Sequence, residues 1–344
     1  MILFSPDDLQ ARLPLPAKTA ASILECRTNI ANILERKDTR WAIVTGPCSL
    51  HHKGSAIAYA KRLAALQKLV EPHILLVMRA HIEKPRSSLG WKGILYDPHL
   101  WGQDNLMQGI PYARSLLLEL AEKIPLASEF LDPIASKYFS DIISWGFIGA
   151  RTSASQTHRQ LASSLPMPIG FKNSTEGSYE CAVYGALAAR QPHCFLHINE
   201  QGKGYIAQSS GNHNTHIVLR GGALEGNYQA CKVQEILDFS KNKELHTPLI
   251  IDCSHGNSQY NPKQQPHVFN SVLQQYVEGN KNISGVMLES HIEAGCQPFD
   301  TVEPNPYISV TDACMDWSMT ERLILTADKA LSSIHSLCCG ATGN

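Results

Sequence analysis

The chain has 344 residues, 43% of them hydrophobic, and a formal net charge of -1. Near-neutrality excludes bulk electrostatic binding to nucleic acid or an anionic membrane and points to local charge clusters that take small anions. No run approaches the ~20 apolar residues of a membrane span, the start Met1-Ile-Leu-Phe4 followed by Pro6, Asp7 and Asp8 lacks a signal-peptide pattern, and ten irregularly spaced cysteines fit reduced thiols in a cytoplasm.

Residues 8–37 predict a helical stretch, with Ile23, Ile30, Ile33 and Leu34 at helical spacing after the loop-like Leu13-Pro-Leu-Pro16. It forms an N-terminal extension over 1–40. Trp41–Thr45 then reads as a short buried strand running into Gly46-Pro-Cys-Ser49, with a helix over Ser55–Leu69. The alternation recurs, with strands expected at Ile74–Arg79, Leu126–Phe130, Phe147–Arg151, Pro168–Lys172, Cys194–Ile198, Pro248–Asp252 and Gly285–Glu289. Helices are expected between most of them, at Ile134–Trp145, Ser155–Leu161, Ser178–Ala189, Lys232–Asn242 and Pro266–Glu278.

Eight strand-then-helix units predict an α/β fold, a closed (β/α)8 TIM barrel over 41–337 rather than an open doubly wound sheet, with 338–344 as a C-terminal tail. Two insertions interrupt the rhythm. Lys203–Leu219 reads as two strands around Ser210-Gly-Asn-His-Asn214, a β-hairpin inserted at about 199–219 after the sixth strand. Pro298–Tyr307 is too proline-rich for a helix and precedes a closing helix from about Met319 to Leu337.

In such a barrel the active site gathers at the C-terminal ends of the strands. Cys48, Arg79, Glu129, Arg151, Lys172, His255 and Glu289 fall there, with Arg220 where the expected hairpin returns. Ordinary loop charge explains any single member but not a ring of them. Arg79, Lys84, Arg86, Lys92, Arg151, Lys172 and Arg220 are more fixed cations than one phosphate needs. Arginine forks and lysine point charges together suggest several anionic groups bound at once. Cys48, His255, Glu289 and Asp312 offer the mixed sulfur, nitrogen and oxygen donors that a divalent transition metal accepts. Their spacing has no short motif interval, so a buried structural cysteine and a capping histidine stand beside the metal reading.

Gly46-Pro-Cys-Ser49, Arg79 with Glu83-Lys-Pro-Arg-Ser-Ser-Leu-Gly-Trp-Lys-Gly93, Glu129-Phe-Leu-Asp-Pro133, Ile148-Gly-Ala-Arg-Thr152, Gln156-Thr-His-Arg-Gln-Leu-Ala-Ser163, Gly170-Phe-Lys-Asn173, Ile217-Val-Leu-Arg-Gly-Gly222, Asp252-Cys-Ser-His-Gly-Asn-Ser258, Gly285-Val-Met-Leu-Glu-Ser-His291 and Ser309-Val-Thr-Asp-Ala-Cys314 follow one another in order. With these blocks the chain closely resembles the type I microbial 3-deoxy-D-arabino-heptulosonate 7-phosphate (DAHP) synthases, from about residue 15 to about 331.

The resemblance implies condensation of phosphoenolpyruvate with D-erythrose 4-phosphate, releasing phosphate, at the entry to the shikimate pathway. It implies one divalent metal ion, manganese, iron, cobalt or zinc, held by Cys48, His255, Glu289 and Asp312. Arg79, Lys92, Ala150, Arg151, Lys172 and Arg220 match the phosphoenolpyruvate site, with Arg151 and Arg220 on its phosphate. Lys84, Pro85, Arg86 and Ser87 match the erythrose 4-phosphate site, and Glu129 matches an acid beside the reacting carbons. Lys84, Glu129, Lys172 and His255 carry the catalytic roles, in a cytoplasmic homodimer or homotetramer. Two other readings stay open: the same chemistry on another aldose phosphate, such as an amino sugar, or a non-catalytic binder of phosphorylated metabolites.

The departures from the family pattern are local. Ser87-Ser88 replaces two threonines, and Ala80-His81-Ile82 replaces a Val-Tyr-Phe-like triplet. A shorter N-terminal arm, Pro166 and the hairpin residues Asn199–Ser209 differ from feedback-regulated members, whose arm and hairpin help form an aromatic amino acid site. Both a lost and a retained effector response fit these differences.

Overall fold

A computed structural model of the chain describes residues 3–86, 90–246, 248–301 and 303–340, with side chains up to Ile334. The N-terminal extension is two helices, α1 (Pro6–Arg12) and α2 (Ala17–Leu34), rather than the single helix expected over 8–37. The prolines of Leu13-Pro-Leu-Pro16 end the first helix and cap the second, because a proline ring forces its predecessor out of the helical region. Ser5 opens α1 with a capping box, its Oγ accepting from the Asp8 amide at 3.1 Å while Asp8 Oδ2 accepts from the Ser5 amide at 3.0 Å.

Then follow β1 (Trp41–Gly46), α3 (Lys53–Val70), β2 (Ile74–Arg79), α4 (Leu106–Ala121), β3 (Leu126–Glu129), α5 (Ser136–Phe139) and β4 (Trp145–Ile148). The second half runs α6 (Gln156–Ser164), β5 (Ile169–Lys172), α7 (Glu180–Ala189), β6 (His193–Ile198), β7 (Gly204–Ser209), β8 (Thr215–Leu219), α8 (Ala230–Asn242), β9 (Leu249–Asp252), α9 (Gln265–Val277), β10 (Ile283–Glu289) and α10 (Trp317–Gly340). A closed barrel joins the strands in the order β1-β10-β9-β8-β5-β4-β3-β2, each pair parallel. The expected TIM barrel is therefore present, with one exchange of strands.

Cys194–Ile198, expected as the sixth barrel strand, is instead half of the hairpin. It lies in β6, which pairs antiparallel with β7 from His193 opposite Ser209 to Ile198 opposite Gly204. The sixth barrel strand is β8, expected as a hairpin arm, so the hairpin spans 193–209 rather than about 199–219. The physical reason is two-sided burial. A parallel barrel strand is covered on both faces, and every residue of β8 is buried, whereas Cys194 and Leu196 on β6 are exposed. Both runs are apolar, so hydropathy alone does not separate them.

Two other expectations shift. The helix expected over Ile134–Trp145 shrinks to α5, because Trp145 already opens β4, and α4 forms where no helix was expected.

The extension has a structural task. Cys26, Ile30, Ile33 and Leu34 of α2 pack in one cluster with the inward-facing Ala42, Val44, Leu75, Val77, Trp145, Phe147, Val218, Ile250 and Met287, closing the N-terminal end of the barrel. Each fully buried isoleucine there stabilises the fold by about 1.5–3 kcal/mol. Arg27 fastens the helix from outside, donating from Nη2 to the carbonyls of Ser140 and Ile143 at 2.7 Å each. With that end plugged, the opposite end is left to form a site.

Candidate active site

Correcting the sixth strand puts Arg220 directly after β8, so it leaves a barrel strand like the others. Arg79, Glu129, Lys172, Asp252 and Glu289 are the last residues of β2, β3, β5, β9 and β10, and Cys48 and Ala150-Arg151 lie two or three residues past β1 and β4. Period-two alternation turns each terminal side chain toward the barrel axis. The result is a cavity of about 210 Å³ lined by Arg79, Lys84, Pro85, Arg86, Glu129, Ala150, Arg151, Lys172, Arg220, His255, Tyr260 and Asp312. A wider groove of about 670 Å³ at the α2 end of the barrel is lined by none of the residues expected in the site.

One flank holds the metal-type donors. Single ligand atoms of Cys48, Glu289 and Asp312 lie within 4.8 Å of one another, and His255 Nε2 is 3.6 Å from Glu289 Oε1. The Cys48 thiol donates to Asp312 Oδ2 at 3.3 Å, while Lys84 Nζ donates to Cys48 Sγ at 2.7 Å and to Asp312 Oδ2 at 3.1 Å. Burial pushes the Cys48 thiol up to about 12, with the Glu289 carboxylate adding to the rise. Burial would raise Asp312 and Glu289 as well, yet Lys84 holds Asp312 well below the usual carboxylate range, and His255 and Arg79 hold Glu289 below it. Buried anionic donors this close repel unless a cation lies among them. A soft thiol, two hard carboxylates and an imidazole suit a divalent transition metal, which would displace the thiol proton.

Asp252, absent from the expected site, organises this flank. Its Oδ2 accepts from Lys172 Nζ at 2.8 Å and lies 3.0 Å from His255 Nδ1, and its Oδ1 accepts from Ser254 Oγ at 2.6 Å. Burial alone would raise its pKa, but Lys172 and then His255 hold it well below the carboxylate range. A carboxylate on Nδ1 fixes the imidazole so that Nε2 faces the donors, a familiar arrangement behind metal-binding histidines. Its sequence signal is its place at a strand end, three residues before His255.

The other flank is cationic. Arg79 is 1% exposed and donates from Nη2 to Glu289 Oε1 at 2.7 Å and from Nε to the Pro47 carbonyl at 3.1 Å. Arg220 is held by Asn173 Oδ1, which accepts from its backbone amide at 2.7 Å, and by Tyr260, whose hydroxyl accepts from Nη2 at 2.8 Å. Arg86 donates from Nε to the Trp91 carbonyl at 2.8 Å. Glu129 reaches the cavity over Gly149, where a Cβ would lie 2.0 Å from its Oε1.

Not every expected residue converges. The Lys92 backbone lies beside the site, its carbonyl accepting from the Lys84 amide at 2.9 Å. Its side chain, however, pairs with Asp104 at the surface and sits 4.8 Å over the Tyr96 ring, outside the cavity lining. Ser87 lies outside the described residues. His81, two residues beyond Arg79, is 1% exposed, and among the described residues neither ring nitrogen has a hydrogen-bond partner; burial, then Arg79 and Lys172, drive its pKa far down.

A TIM barrel whose mouth sets a metal-type donor cluster against several fixed cations defines an enzyme that brings anionic substrates together. The family can be given more closely. Residues 16–324 match the DAHP synthetase I family, and the chain belongs to it. Over 326 residues, covering 94% of this chain and 91% of the relative, it is 43% identical to the Tyr-sensitive phospho-2-dehydro-3-deoxyheptonate aldolase of Escherichia coli K12. It is 42% identical over 324 residues to the Phe-sensitive form of the same organism, with 94% and 92% of the two chains covered. A solved structure of phospho-2-dehydro-3-deoxyheptonate aldolase from Francisella tularensis superposes with a TM-score of 0.94 at 39% identity, covering 96% of this chain and 97% of that one.

Among the described residues no helix is long and apolar enough to cross a membrane.

Proposed function

We propose that this chain is a DAHP synthase, condensing phosphoenolpyruvate with D-erythrose 4-phosphate and water to give DAHP and inorganic phosphate at the first step of aromatic amino acid biosynthesis. The observation that carries the reading is the cavity in which Arg79, Lys84, Arg86, Arg151, Lys172 and Arg220 meet Glu129, His255 and Asp312, with the Cys48 and Glu289 donors within 4.8 Å of Asp312. Two phosphates and a carboxylate need this excess of cations, because crowded anions repel unless fixed charge offsets them.

Cys48, His255, Glu289 and Asp312 would hold one divalent manganese, iron, cobalt or zinc ion, which when bound supplies a Lewis acid toward the aldehyde oxygen. Arg151, Lys172 and Arg220 bind the phosphoryl group of phosphoenolpyruvate, and Arg79 takes its carboxylate side. Lys92 serves the same substrate after leaving Asp104, since an exposed pair costs under about 1 kcal/mol to break. Lys84, Pro85, Arg86 and Ser87 orient erythrose 4-phosphate, with Lys84 Nζ placed to donate to the aldehyde oxygen as charge builds there.

The enol carbon then attacks the aldehyde carbon, and Glu129 holds the water that adds at C2 of phosphoenolpyruvate and takes its proton. The hemiketal phosphate collapses with cleavage of the C–O bond, and Arg151, Lys172 and Arg220 stabilise the departing phosphate.

A homodimer or homotetramer in the cytoplasm completes the proposal. It is supported by the apolar side chains that the hairpin leaves at the surface, with Leu196 85% and Ile206 66% exposed, and by the free state of all eight cysteines whose side chains are described. The test is phosphate release from phosphoenolpyruvate against a panel of aldose phosphates. Erythrose 4-phosphate should be the preferred aldehyde, and a chelator should abolish turnover until a divalent metal is returned. Preference for an amino-sugar phosphate, or full activity after exhaustive chelation, overturns the corresponding part.

A further inference from the structure

Tyr260 is not among the residues that sequence reasoning placed in the site, yet it lines the cavity. It belongs to the segment after β9, where a short 3-10 turn covers His255–Ser258. Gln259 and Tyr260 that follow are both left-handed, with φ of 53° and 58°. Two successive side-chain-bearing residues in this region cost about 1–2 kcal/mol each, and such strain persists where the surroundings over-determine it. Here the Tyr260 amide donates to the His255 carbonyl at 2.7 Å, turning the chain back so that the ring stands edge-on to His255 with centroids 6.1 Å apart.

That reversal aims the phenol at Arg220. Its oxygen accepts from Arg220 Nη2 at 2.8 Å, and the guanidinium carbon lies 5.8 Å from the ring centroid. A phenol that accepts from a guanidinium still has its own O–H to donate. Beside a cation facing an anion cavity, the group that uses such a donor is one made only of acceptors, as a phosphoryl group is.

We infer that Tyr260 is a phosphate-binding residue of this enzyme, its hydroxyl holding Arg220 by accepting from Nη2 and donating its own proton to the phosphoryl group that Arg220 binds. This rests on the reading of the cavity as the phosphoenolpyruvate site. It makes the turn after β9 serve both flanks, with His255 toward the donor cluster and Tyr260 toward the phosphate. The residue is 55% exposed, so losing its hydroxyl removes a ligand contact without opening the core.

The test compares metal-loaded wild type with Tyr260→Phe, which keeps the ring beside the guanidinium and removes only the hydroxyl. Binding of inorganic phosphate, measured by calorimetry without turnover, should weaken about tenfold, the scale of one hydrogen bond to a charged group. The KM for phosphoenolpyruvate should rise by a similar factor, that for erythrose 4-phosphate should stay within about twofold, and the melting temperature should not move. Unchanged phosphate affinity in Tyr260→Phe, or equal rises in both KM values, overturns the inference. Absence of wild-type turnover overturns the functional reading instead.

Discussion

Lys172 Nζ donates to Asp252 Oδ2 across 2.8 Å in a pair whose side chains are 4% and 0% exposed. Through it the two flanks of the cavity are mechanically one, because the same carboxylate orients His255. Breaking a buried ion pair by removing one partner costs about 3–5 kcal/mol, since the other charge is left without compensation. Asp252→Asn is therefore expected to lower stability by that order and to weaken metal binding about 10–100-fold through the loosened imidazole. Chemical unfolding and metal titration of the variant check both.

Glu129 occupies space that a glycine leaves open. A Cβ at position 149 would meet Glu129 Oε1 at 2.0 Å, and the carboxylate is the movable end of a side chain. Gly149→Ala should fold with a stability change of under about 1 kcal/mol, yet misplace the group proposed to hold water. A fall in kcat of about 10–100-fold with little change in melting temperature is expected. Steady-state kinetics beside a thermal melt decide it.

His216 gives the barrel an acid limit. It lies in the core with Trp145 Nε1 donating to its Nε2 at 3.1 Å, and burial, with Arg190 adding, lowers its pKa from 6.5 to about 3. The fold thus favours the neutral ring while the unfolded chain takes up a proton below about 6.5. The contribution is complete above that pH and is lost as pH falls toward 3, by about 1.4 kcal/mol per unit. His216→Gln should flatten the fall in stability between about pH 6.5 and 4, read from denaturant midpoints across that range.

The two phosphate ends should separate kinetically. Arg86 belongs to the loop proposed to hold the aldose, whereas Arg220 sits beyond β8 with Asn173 and Tyr260. Arg86→Ala should raise the KM for erythrose 4-phosphate about tenfold or more and disturb that for phosphoenolpyruvate less. Arg220→Ala should do the reverse, and indistinguishable effects on the two constants count against the division.

Much of this was legible in the chain because barrel chemistry sits at strand ends, and strand ends are marked by the last apolar residue. Arg79, Lys172 and Glu289 close the strands expected to end at them, whereas the strand expected to run to Phe130 ends at Glu129. What stayed hidden depended on relations across the fold. Cys194–Ile198 and Thr215–Leu219 are both largely apolar, the exposed one the more so, and only the barrel's closure decides which is covered on both faces. Asp252 sat in view within a motif, but its contact with Lys172 spans two strands. Tyr260 depends on a left-handed turn at residues that show no glycine, and Lys92 turns outward to Asp104, a choice local sequence does not reveal.

The most direct measurement is phosphate release by the metal-loaded protein at saturating phosphoenolpyruvate, with and without erythrose 4-phosphate. The expected result is no release without the aldehyde and one phosphate for each erythrose 4-phosphate consumed, with DAHP as the product. Phosphate released without any aldehyde, or none released with any aldose phosphate, would contradict the assignment.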